Sequence, residues 1–109
     1  MKPQRCPPAR QVSSLLQLPN VGPAMAADLR LLGHGTVHSL VGADPYRLYA
    51  QLCQQTGVRQ GPCVLDVFIS VCHYLQHDEA LPWWHFTAAR KQKLARDAAA
   101  AIPLYNEAP

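Results

Sequence analysis

Leu15-Leu16-Gln17-Leu18-Pro19-Asn20-Val21-Gly22-Pro23-Ala24-Met25-Ala26-Ala27-Asp28-Leu29 is the stretch on which the fold turns. Its two ends carry helix-forming residues, and Pro19-Asn20-Val21-Gly22 breaks it in the middle. Asn20 is one of the few residues other than glycine that tolerates positive φ. Gly22 lets another backbone approach closely. Pro23 stands where proline is best tolerated, in the first turn of a helix. The spacing predicts one short helix over Val12–Leu18, a tight turn, and a second helix over Ala24–Leu32 ended by Gly33. The second helix then begins with free N–H groups whose dipole favours an anion.

Four more helical segments follow. Thr36 can cap a short helix to Val41, closed by Gly42. Asp44-Pro45 starts a helix that runs to about Thr56, before Gly57. Gly61-Pro62 starts the most apolar helix, to about His77, and Thr87 can cap a last one from Ala88 to about Ala101. No stretch alternates apolar and polar residues, so no strand is expected. In the apolar helix Asp66, Ser70, His73 and His77 form one narrow polar stripe. They fall within about 60° of arc at 100° per residue, so every other side is expected to be buried and Phe68 to lie in the core.

The chain has 109 residues, of which 49% are hydrophobic and 16% charged. That is enough for one small domain with its own core. No apolar run approaches the ~18–20 residues of a membrane span. The start, Met1 to Pro8, is basic but has no apolar stretch behind it, unlike a signal peptide. The net charge of +3 is unevenly placed. Lys2, Arg5, Arg10, Arg30, Arg47 and Arg59 against Asp28 and Asp44 give +4 over residues 1–61. Asp66, Asp78 and Glu79 give −3 over 62–87, and the remainder carries +2. Such a balance permits a polyanion partner. We divide the chain into a loose basic Pro-rich arm (1–10), a compact domain (11–87), and a basic Ala-rich helix and tail (88–109). The last helix has few large apolar side chains, so it is expected to be a solvated appendage, frayed from Ile102 and dispensable for folding.

The quoted stretch resembles a helix-hairpin-helix motif, whose usual core is Pro-Gly-apolar-Gly, with Asn20 in place of the first glycine. The resemblance implies backbone contacts to nucleic-acid phosphates without base readout. The positions it assigns are Asn20, Val21, Gly22, Ala24 and Met25, with Arg30 as a nearby cation. It also implies a monovalent cation held by hairpin carbonyls. Further on come Leu32-Gly33, Thr36-Val37, Gly42-Ala43-Asp44-Pro45, Leu48-Tyr49, Leu52-Cys53, Gly57-Val58-Arg59, Cys63-Val64-Leu65, Val67-Phe68 and Trp83-Trp84. In that order they look like the small bacterial "pathogenicity locus" family, which includes mitomycin-resistance proteins, over roughly residues 12–87. That family implies an all-α helix-hairpin-helix domain, cytoplasmic, with no established reaction; the arm and the last helix lie outside the resemblance, and we expect a SAM-like domain of about five helices plus a C-terminal helix, with no resident cofactor.

Three other readings compete. Asp66, His73 and His77 share a helix face, and carboxylate and imidazole suit a divalent metal. The glutamate of an H-E-x-x-H site is absent, since Tyr74 follows His73, and a solvated polar stripe is the simpler reading. Cys63 lies in a first helical turn where a thiolate is stabilised, and His73 or His85 would have to serve as its base. A small buried cysteine is the simpler reading there too. Cys6, Cys53, Cys63 and Cys72 show no C-x-x-C spacing, and nine residues turn Cys63 and Cys72 to opposite sides of their helix. Trp83-Trp84-His85-Phe86 can stack on unpaired bases, but such a cluster more often seals a core, with one tryptophan partly exposed. No complete catalytic constellation is present, so a binding protein is expected rather than an enzyme. Its partner is DNA without sequence preference or, in the alternative, another protein; a membrane is not expected.

Overall fold

A computed structural model describes the backbone of residues 1–107 and the side chains of residues 1–98. Among the described residues the protein is all-α, with four α-helices joined by short 3-10 turns and no strand. The helices are α1 (Pro23–Leu31), α2 (Pro45–Thr56), α3 (Pro62–His77) and α4 (Thr87–Glu107). None of them is long and apolar enough to cross a membrane.

Each helix start follows from local chemistry. All of α1, α2 and α3 open with proline, whose missing N–H would be unpaired there in any case. The Asp44 carboxylate accepts the Tyr46 N–H at 2.9 Å and so caps α2. At the other end Gly57 takes the left-handed conformation, φ 68°, that closes the helix. α3 is closed the same way by Asp78 at φ 55°, one of two non-glycine residues with positive φ among the described residues; Asn20 is the other.

Two of the six expected helices are only 3-10 turns, at Leu15–Gln17 and His38–Leu40. In the first, Ser14 and Gln17 form a reciprocal capping box that closes a single turn. Pro19 then holds Leu18 extended, at ψ 146°, so no second turn can form. In the second, Gly42 at φ 79° ends the segment after one turn.

α3 is the centre of the fold, packed against α2 and against a 3-10 turn at Trp83–Phe86. Phe68, Val71 and Tyr74 are buried with Leu18, Val21 and Leu29 from the turn and α1, and with Leu48 and Leu52 from α2. Only the far end of the polar stripe is solvated: Asp66 and Ser70 have no exposed surface at all, His73 is half-buried and His77 is exposed. Both Asp66 oxygens are taken. Arg90 donates from Nε at 2.9 Å and from Nη2 at 3.2 Å, and the Thr87 hydroxyl donates at 2.8 Å. Hydrogen bonding to Asp66 raises the Arg90 pKa further, against the cost of burial.

That ion pair ties the first turn of the last helix to the core, while from Lys91 to Ala98 the side chains are exposed apart from half-buried Lys93, as a solvated helix would have them. Thr87 does not cap α4 but reaches sideways to α3, and Arg90 is itself buried. The helix also runs beyond Ala101 and through Pro103 to Glu107; of the expected frayed tail, Ala108 and Pro109 lie outside the described residues.

Nor is the N-terminal segment loose. Pro3–Arg5 and Ala9–Gln11 form 3-10 turns, and Cys6, Ala9 and Val12 pack on the core. Tyr74 donates its hydroxyl to the Pro7 carbonyl, and the Ala9 N–H donates to Asp78 Oδ1 at 2.6 Å. Proline lowers the entropy lost when such a segment is ordered, which the absence of an apolar period did not reveal.

Removing one member of a buried ion pair strands the other charge, at a cost of about 3–5 kcal/mol. Arg90→Met is therefore expected to lower stability by about that much, and a chain ending at Thr87 by at least as much. The double variant Asp66→Leu/Arg90→Met should recover most of the loss. Urea midpoints of the four chains check this, and an unchanged Arg90→Met midpoint would contradict it.

Candidate functional site

The turn between Leu18 and α1 is set by backbone and by one side chain. Asn20 adopts φ 64°, the left-handed conformation expected of it. Its amide donates to Ser70 Oγ on α3 and to the Leu81 carbonyl, both at 2.9 Å. Ser70 in turn donates to the Val67 carbonyl at 2.6 Å. The turn is thus tied to the buried helix and to the segment before the tryptophans.

Gly22 is extended, at φ −104° and ψ −174°, and nothing lies within 4 Å of where its Cβ would be. The fold itself does not need glycine there. Gly22, Pro23 and Ala24 are exposed, Met25 is half-buried, and Val21 is buried. Gly22 contributes no side-chain cap, and among the described residues the Ala24 and Met25 N–H groups meet no acceptor. The structure therefore brings Asn20, Val21, Gly22, Ala24 and Met25 together at one end of α1. Arg30 is exposed in the last turn of that helix, about 9 Å further along its axis from Ala24.

Residues that the sequence did not point to border this end. The Met1 amino group donates to the Val21 carbonyl at 2.6 Å and to the Leu18 carbonyl at 2.9 Å. The Asn20 N–H donates to the Met1 carbonyl at 2.7 Å. A positive group thus sits on the turn carbonyls, where the resemblance implies a cation. Burial holds this amine below its usual pKa, with the Cys6 thiol acting the other way. An open groove of about 810 Å³ runs past the turn, lined in part by Lys2, Leu16, Gly22, Pro23, Pro82 and Trp84.

The other sites predicted from sequence fare differently. Asp66, His73 and His77 are not assembled for a metal. Asp66 is saturated by Arg90 and Thr87, and His73 lies about 10 Å further along α3. His73 Nε2 pairs with Glu79 at 2.8 Å, and the His77 ring lies against that of His73, centroids 4.7 Å apart and planes tilted by 42°. No group of three potential ligands is placed to hold a metal among the described residues. Cys63 is exposed rather than buried, because it falls on the solvent side of the first turn of α3. His73 is ten residues, about 15 Å, beyond it on the same helix. In the aromatic cluster Phe86 is buried and Trp83 packs on the core, but Trp84 is exposed.

With that arrangement in view, the comparisons decide the family. Residues 8–92 match the family model described as Cdd1, pathogenicity locus. The chain belongs to the pathogenicity locus family. The family match extends past Arg90, so it takes in the first turn of α4 and the buried ion pair. A curated relative is the mitomycin resistance protein McrB of Streptomyces lavendulae, 36% identical over 83 residues, covering 76% of this chain and 79% of that protein. No solved structure matches the chain.

Two measurements probe the site of this family member. In Asn20→Gly the backbone is at ease, yet both amide hydrogen bonds are lost. We expect a net loss of about 1–3 kcal/mol by urea denaturation, because Ser70 and the Leu81 carbonyl are left underused. A gain in stability would show that relief of the left-handed conformation outweighs the anchor. For the thiols, burial and then Asp44 push Cys72 up to about 11. Its thiolate is scarce at pH 8, and a raised folded-state pKa favours the folded form until pH climbs toward that value. Maleimide labelling of the folded chain at pH 8 is expected to modify exposed Cys63 and spare Cys72, as peptide mass mapping will show.

Proposed function

We propose that this protein binds nucleic acid without sequence specificity, using the Asn20–Met25 turn as a helix-hairpin-helix-like backbone cradle for phosphate. One observation carries the reading. The exposed start of α1 presents the Ala24 and Met25 N–H groups beside a glycine that the fold itself does not require. Helix N-termini bind phosphate through such N–H groups and the helix dipole. The first arm of the unit is a single 3-10 turn, so the likeness to helix-hairpin-helix units lies in the turn and in α1. Arg30 is exposed at the far end of α1 and would meet a neighbouring phosphate rather than the same one.

An accessory binding role fits better than catalysis. The buried carboxylate Asp66 is spent on Arg90 and Thr87, His73 on Glu79, and the Cys72 thiol is held protonated. The relative's name adds mitomycin resistance as a setting in which such a contact would operate for this chain.

The test is anisotropy of a labelled random duplex at low and moderate salt. Wild type is expected to bind at about 10⁻⁴–10⁻⁶ M, with affinity falling as salt rises. Gly22→Val should fold normally, since its Cβ meets open space and its φ suits any residue. It is expected to weaken binding about tenfold or more by blocking the approach to the N–H groups. Arg30→Ala is expected to lower the salt slope by about 0.9, one phosphate's worth, equally on all sequences. No binding by wild type at low salt, or equal binding by Gly22→Val, would overturn the reading.

A further inference from the structure

We propose that the groove beside the turn takes an unpaired base stacked on Trp84, so that the preferred ligand is single-stranded nucleic acid. The inference rests on the reading of the turn as a nucleic-acid contact and names the form of that ligand. It stands on the side chains of the groove.

Trp84 is 64% exposed, more than any other large hydrophobic side chain among the described residues. It is nevertheless held in place. Its 3-10 turn is closed by the His85 N–H on the Pro82 carbonyl at 3.0 Å, and the next-but-one residue, Phe86, is buried. Trp83 packs on the core and meets Trp84 nearly perpendicularly, with ring centroids 5.6 Å apart and planes at 83°. The Leu81 carbonyl just before this turn holds the Asn20 side chain, so the tryptophan and the turn share one anchor. An indole fixed this way, with its surface left in water, is a ready stacking platform.

The rest of the groove suits a nucleotide. Its volume of about 810 Å³ lies in the range of small-ligand clefts. Lys2 is the one charged side chain in its lining, and no carboxylate faces it. Half-exposed Leu16, Pro23 and Pro82 supply apolar surface for a base or sugar. A lysine beside apolar and aromatic surface matches a phosphate next to an unstacked base. In a duplex the bases are stacked on one another, and Trp84 reaches one only after it is flipped out, at a real energetic cost. A single strand offers the same phosphates with its bases free.

The experiment uses the full chain, with folding of each variant verified by circular dichroism. An oligothymidylate of about twelve nucleotides and a random duplex of the same length are titrated at low salt. Wild type is expected to bind the single strand more tightly than the duplex, with quenching of tryptophan fluorescence on the single strand only. Trp84→Ala should lose roughly 5- to 150-fold in single-strand affinity and leave duplex binding unchanged. Trp84→Phe, which keeps an aromatic face, should recover most of that loss. Gly22→Val should weaken both ligands together. Equal affinity for the two ligands, with Trp84→Ala neutral on both, would overturn the stacking proposal and leave the phosphate cradle standing. No binding of either ligand by wild type would overturn both and leave the groove to a protein partner.

Discussion

The fold is organised by what a buried helix does with its polar residues. α3 is enclosed on nearly every side, and Asp66 and Ser70 are carried into the interior with it. An unpaired carboxylate there would cost several kcal/mol, so a cation must be brought to it. Arg90 supplies that cation from the start of α4, and Thr87 fills the remaining acceptor site. Ser70 likewise needs a partner and finds the amide of Asn20. No buried side-chain nitrogen or oxygen is left without a hydrogen bond among the described residues. Two distant parts of the chain, the turn after Leu18 and the first turn of α4, are thus fixed by one face of one helix.

The same constraint explains why the turn departs from the glycine that the motif it resembles would place at position 20. A glycine would take the left-handed conformation at no steric cost. Asparagine pays a little for it and gains two hydrogen bonds into the core, one to α3 and one to the segment before Trp83. The exposed end of α1 is therefore held from behind, and the arm adds a second hold through Met1 on the Leu18 and Val21 carbonyls. In the proposed reading, a turn so held would meet a phosphate already formed, which lowers the entropy cost of binding.

Much of this was legible in the sequence, and the rest was not, for separate reasons. Asp44-Pro45 with Gly57, and Gly61-Pro62, delimit α2 and α3 because caps and prolines act through bonds a few residues long. The positive φ of Asn20 was legible for the same reason. Helix length was harder. Leu15–Gln17 and Thr36–Val41 contain helix formers, yet Pro19 and Gly42 stop each after one turn, too short for α-helical bonds to accumulate. The stripe Asp66-Ser70-His73-His77 was recognised as one face, but periodicity cannot tell a face turned to water from one turned to Arg90, 24 residues away. The arm was misjudged because its bonds to Tyr74 and Asp78 are also long-range.

At the site, the division of labour follows from what backbone and side chains can each recognise. The N–H groups of Ala24 and Met25 offer the same donors to any phosphate, and a cradle built from them discriminates neither sequence nor strandedness. In the proposed reading, selectivity would therefore come from the side chains that border the turn. They include Lys2 and Gln4 from the arm, Leu16 before the turn, and Pro82 and Trp84 across the groove. A lysine adds affinity for any polyanion but cannot distinguish a paired base from a free one. An indole can, because only an unstacked base has a face to offer it. The core has no use for Trp84, since Phe86 and Trp83 already cover that side of α3, and so the chain can hold it at the edge of the groove.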